Sequence, residues 1–153
     1  MLATMNPFDW RTVLLAKHAQ HVVLIHFPIA LYLVGVLMDF AGRMFGQESW
    51  EEAAYWNFLV AAVFTLPVLA TGIIAWQWAL EGQRLKGILL WHLSAGIASS
   101  VAIWITAWMH FVLRRGPVRR FLIWSAAVEV VGVILLMITG HLGGFLSGVN
   151  GGQ

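Results

Sequence analysis

"HVVLIHFPIALYLVG", residues 21–35, decides the fold. It lies in a charge-free window between Lys17 and Asp39, and a helix of about 20 apolar residues is long enough to cross a bilayer. Yet it carries His21, His26 and Pro28 among side chains that otherwise suit lipid. Three more windows follow, at 53–80, 87–113 and 121–152, the last interrupted by Glu129 alone. Open sheet edges are not tolerated in hydrocarbon, so four apolar spans read as four helices.

Composition agrees with this count. Of the 153 residues 60% are hydrophobic and 10% charged, nine are Trp and nine Phe, and the mean hydropathy is +0.80. A soluble domain of this size has no interior large enough for that much apolar surface. The expected fold is all-α, an integral membrane up-and-down four-helix bundle with both termini on one side. Residues 1–153 form a single transmembrane domain with helices at about 20–42, 55–80, 87–113 and 119–146. Arg11 and Lys17 follow the first short apolar run rather than precede it, the wrong order for a cleavable leader, so the first span is expected to serve as the insertion signal.

Tryptophans should mark the two interfaces: Trp10, Trp76, Trp78 and Trp91 on the terminal side, and Trp50, Trp56, Trp108 and Trp124 on the other, with Trp104 deeper. The "RRGPVRR" turn at 114–120 places four arginines on the second side and favours it as cytoplasmic. The termini are then expected in the periplasm, the protein residing in a bacterial inner membrane.

Cysteine is absent, which excludes thiolate-held iron–sulfur clusters, c-type haem attachment and disulfides. A net charge of +2, dispersed over helix ends, gives no argument for nucleic acid. Any metal must therefore use His, Met or carboxylate, and the methionines do not cluster beside the histidines.

Because the chain reverses at each crossing, His21, His26, His92 and His141 converge on the terminal end of the bundle. His26 and His92 each lie about five residues inside their helices, at matching depths of roughly 7 Å. Helices 1 and 3 stand diagonally in a simple bundle, a geometry that can hold a flat cofactor between two imidazoles. On helix 3, His92, Gly96, Ser99, Ile103, Thr106 and His110 follow helical spacing along one inward face. Thr71 and Gly72 on helix 2, and Gly140 and Gly144 on helix 4, supply small residues at the histidine end. Pro28 leaves the Leu24 carbonyl without its helical donor, and that carbonyl is expected to orient the His26 ring.

Each residue also has a plainer reading. His18, His21 and His110 taken singly read as interfacial anchors or interhelical hydrogen bonds. His141 stands between third ligand, propionate partner and cap. Glu129, near mid-membrane, is either a proton or partner contact or a protonated acid bonded to a neighbouring hydroxyl. Asp39 and the "ESWEE" run at 48–52 read as solvated flanks.

The segment "HVVLIHFPIALYLVGVLMDFAG" resembles the bacterial membrane-protein family catalogued as domain of unknown function 2231, whose His-x4-His-Phe-Pro-Ile-Ala signature is matched by His21, His26, Phe27, Pro28, Ile29 and Ala30. "TGIIAW" in helix 2, His92 opening helix 3, and Gly140, Leu142, Gly143 and Gly144 fit as well, so the resemblance covers roughly residues 18–148. It implies a four-helix unit in which His21, His26 and His92 matter, and it names no reaction. Glu129 and His141 depart from the family pattern.

The leading expectation is a cytochrome b-like electron-transfer protein or subunit with one haem b, His26 and His92 as axial ligands and His21 or His141 in support. Membrane quinol and a periplasmic cytochrome are the expected redox partners. The alternatives are a zinc or copper site built from His21, His26, His92 and His141, and a non-catalytic accessory subunit of a respiratory or photosynthetic complex. The zinc or copper site would serve sensing, delivery or transport; an electron-transfer or accessory subunit is favoured over a stand-alone enzyme, and a role within a homo-oligomer or larger assembly is expected under every reading.

Overall fold

The computed structural model describes residues 17–78, 84–116 and 119–147. They form four long helices: α1 (Lys17–Phe45), α2 (Glu48–Trp78), α3 (Gly87–Leu113) and α4 (Arg119–Leu146). All four are long and apolar enough to cross a membrane. The even number of spans puts both termini on one side of an up-and-down bundle, and the protein is a multi-pass membrane protein in contact with lipid. The expected ends of α3 and α4 agree with those observed.

Helix α2 begins earlier than its charge-free window, because "ESWEE" is its first turn, helical and solvent-exposed. Glu48 and Glu51 lie at the N-terminal end of the helix dipole, where negative charge is favoured. The α1–α2 connection is correspondingly tight. Gly46, at φ 65°, takes the left-handed position after α1, and the Gln47 amide donates back to the Gly42 carbonyl at 2.9 Å. This is the glycine-terminated cap that closes a helix and frees the chain to turn at once.

Helix α1 packs mainly on α2, α3 on α4, and α2 on α3, while α1 and α4 meet in few places. The molecule is therefore two antiparallel hairpins joined along α2 and α3, with a loose seam between α1 and α4. Close approach of α1 and α2 is set by small residues. A Cβ at Gly35 would lie 2.8 Å from Phe58 Cε1, and one at Gly42 would lie 3.1 Å from the Glu51 amide nitrogen.

At the centre, Tyr32, Phe58, Ile103 and Leu136, one from each helix, form a buried layer with Ala61, Ala62 and Ala107 around it. Outside it the pattern of a soluble protein is inverted: Leu37, Ile123 and Met137 are about 70% exposed, as lipid-facing side chains should be. Trp104 sits deeper than the interfacial tryptophans, and its indole N–H donates to Thr65 Oγ1 across α3 and α2 at 3.1 Å. The side chains of Trp10, Trp78 and His18, and residues 117–118 of the arginine-rich turn, lie outside the described residues.

Candidate functional site

On the terminal side of the central layer, all four helices enclose a cavity of 380 Å³. Its walls carry His21 and His26 from α1, Gly72 from α2, His92, Gly96 and Ser99 from α3, and Gly140, Gly143 and Gly144 from α4, with aliphatic side chains over most of the remainder. Residues far apart in sequence thus share one chamber. The inward stripe expected on α3 is there: His92, Gly96, Ser99 and Ile103 face the cavity, while Thr106 and His110 continue the same face into the buried core.

Each of the three imidazoles is anchored through Nδ1. His92 Nδ1 lies 3.1 Å from the Thr139 carbonyl of α4, and His26 Nδ1 lies 2.7 Å from the Val22 carbonyl one turn earlier. His21 Nδ1 lies 3.2 Å from the Val68 carbonyl and 3.3 Å from Thr71 Oγ1 on α2. A carbonyl can only accept, so the proton of His26 and His92 sits on Nδ1 and their Nε2 keeps its lone pair. Metal-binding histidines have their second nitrogen held in this way. The Leu24 carbonyl freed by Pro28 does not orient His26; the ring turns back to Val22, within its own helical turn.

The small residues make room for the rings. A Cβ on Gly72 would lie 3.1 Å from His21 Cε1, and one on Gly143 would lie 3.1 Å from His92 Cε1, so each glycine serves as the floor beneath an imidazole. Gly96 and Gly140 have open space above them, apart from one methyl of Thr139 3.7 Å from Gly96. Thr71 lies behind His21 rather than in the cavity wall, its hydroxyl donating to the Pro67 and Val68 carbonyls at 2.8 and 3.0 Å. His141 does not join the group. It is exposed on the outer face of α4, edge-on to the Phe145 ring at 5.1 Å.

A second polar group lies on the opposite side of the central layer. Asp39 is 2% exposed and Glu129 is fully buried, so the reading of Asp39 as a solvated flank is corrected. Arg43 Nη2 lies 2.5 Å from Asp39 Oδ2, 3.3 Å from Glu129 Oε1 and 2.9 Å from Ser125 Oγ. His110 bridges the two acids, with Nε2 2.9 Å from Glu129 Oε1 and Nδ1 3.8 Å from Asp39 Oδ1. Asp39, His110 and Glu129 offer ligand atoms all within 4.8 Å of one another, a grouping that could hold a metal ion, although Arg43 is already seated among them as a cation.

Of the two plainer readings, His110 takes the interhelical hydrogen bond, and Glu129 is bonded to a cation and an imidazole rather than to a hydroxyl. Sequence reasoning missed the quartet because it took its members one at a time. The available signal was the i, i+4 spacing of Asp39 and Arg43 on a helix that places them at the same end as His110. Removing one partner from a buried ion pair costs about 3–5 kcal/mol, so the quartet also locks α1, α3 and α4 together.

No curated protein and no solved structure matches the chain at a significant level. The family model described as predicted membrane protein (DUF2231) matches residues 17–152, nearly the whole length and all four helices; the chain belongs to that family.

Proposed function

We propose that the protein is a membrane cytochrome b-like electron-transfer protein or subunit, holding one haem b in the terminal-side cavity with His26 and His92 as axial ligands. The observation that carries this reading is that these two histidines, from helices that face each other across the bundle, line one cavity and both present Nε2 lone pairs. The lining supports this reading, with His92 half-buried and His26 exposed beside the same cavity. The cavity falls within the ~300–1,000 Å³ range of pockets that bury small ligands, and its wall is mostly aliphatic. Gly96 and Gly140 let a flat ring approach the helix backbones, and the loose α1–α4 seam leaves space for its edge.

Held by His26 and His92, a haem b would supply one-electron transfer. The protein's part is to hold the rings at fixed tautomer through Val22 and Thr139, to exclude water, and to place the group near one membrane surface. Quinol in the bilayer and a periplasmic cytochrome are the donor and acceptor that this position suits.

Replacing His26 or His92 by Ala should abolish haem retention during purification, whereas His110→Ala should keep it. Full haem content in either of the first two variants contradicts the assignment.

A second reading has its own support, because His21 lines the same cavity as a third histidine. Three imidazoles can serve as a zinc donor set and imidazole also suits copper, but among the described residues only Asp39, His110 and Glu129 bring their ligand atoms within 4.8 Å of one another. Stoichiometric zinc or copper without a Soret band would select that reading.

A further inference from the structure

The quartet of Asp39, Arg43, His110 and Glu129 takes no part in the proposed haem site, from which the Tyr32, Phe58 and Ile103 layer separates it. We propose that this quartet is a proton-binding site, holding one exchangeable proton on the His110–Glu129 pair.

Two carboxylates and one guanidinium leave one negative charge in excess, and a carboxylate within a bilayer is costly unless compensated. One added proton brings the quartet to neutrality. A divalent metal would overshoot to a net positive charge, with Arg43 as its immediate neighbour.

Geometry points the same way. His110 has a carboxylate facing each ring nitrogen, Glu129 at 2.9 Å and Asp39 at 3.8 Å. A neutral imidazole has one N–H, so a lone pair would then face one of the two acids unless a further proton is present. Glu129 supplies a second place for that proton. Its Oε2 is buried and has no hydrogen-bond partner among the described residues, while Oε1 is taken by Arg43 and His110. The added proton therefore has two adjacent sites, an imidazolium beside a carboxylate or an imidazole beside a carboxylic acid.

The surroundings on every helix are consistent with exchange at the side away from the cavity. Arg43 on α1 is the part of the quartet that reaches outward, its side chain 20% exposed and its Nη1 bonded to the Leu122 carbonyl at 2.9 Å. From α2, the Glu51 side chain packs beside Gly42 of α1 at this end of the bundle, and the Phe58 ring covers the imidazole at 4.7 Å. On α3, Arg114 is engaged elsewhere, paired with Glu52 and lying over the Tyr55 ring. From α4, Ser125 binds Arg43. Toward the cavity, the Tyr32 hydroxyl is engaged by Thr106 and the Glu129 backbone carbonyl, and the apolar layer closes the way.

The test is a proton count on the full-length protein in detergent, read with an indicator dye between about pH 5 and about pH 9. The wild type should release one more proton than Glu129→Gln, since all other titrating groups are common to both. Equal counts would identify a permanently ionised salt bridge and overturn the proposal. Infrared pH-difference spectra of the wild type alone make the test independent of how the variant folds. A buried carboxyl or imidazolium signal that comes and goes over this range supports the site, and its absence overturns it. Stoichiometric metal, lost together with the His110→Gln substitution, would likewise replace the proton by a metal ion.

Discussion

Gly143 has no side chain where a ring needs the space: its Cβ would lie 3.1 Å from His92 Cε1. An added methyl must push the imidazole by a few tenths of an ångström, away from the Thr139 carbonyl that fixes its tautomer. Gly143→Ala should therefore lower haem retention several-fold while leaving helix content, read by circular dichroism, unchanged. At this scale the histidines and glycines of the cavity were legible in the sequence, because imidazole is costly in lipid and small residues cluster around it. Asp39 was not. A carboxylate four residues before an arginine near a helix end looks like a surface pair, and only the arrival of α4 with Glu129 and Ser125 turns it into a buried one. His141 failed in the opposite direction, since sharing an end of the bundle does not fix which way a helix face turns, and its ring faces outward beside Phe145.

Among the elements, α1 and α2 form the tightest pair, closed by the Gly46 turn and by the contacts of Gly35 and Gly42. Gly42 faces backbone: its Cβ would sit 3.1 Å from the Glu51 nitrogen and 3.2 Å from the Gln47 carbonyl oxygen, neither of which can rotate aside. Gly42→Val should consequently destabilise the hairpin by about 1–3 kcal/mol, measured as a lower thermal midpoint in detergent. Helix number and the ends of α3 and α4 could be read from charge-free windows, since hydrocarbon rejects charge over a fixed thickness. The start of α2 could not, because a helix continues beyond the hydrocarbon into the interfacial region, where Glu48 and Glu51 are stabilised by its dipole.

In the molecule as a whole, the bundle separates two polar sites by one apolar layer. A histidine-lined cavity lies toward the terminal side, and a charge-compensated quartet lies toward the other. Aliphatic and aromatic side chains cover the exterior, with Trp91 and Trp124 about 60–70% exposed, so lipid or neighbouring membrane subunits form its surroundings. A haem held between His26 and His92, as proposed, would colour the protein. The most direct measurement is the visible spectrum of the intact protein, purified in mild detergent, recorded oxidised and after dithionite. A Soret band with sharp α and β bands on reduction, as a low-spin bis-imidazole haem gives, is the predicted result; a flat spectrum in both states would contradict the account.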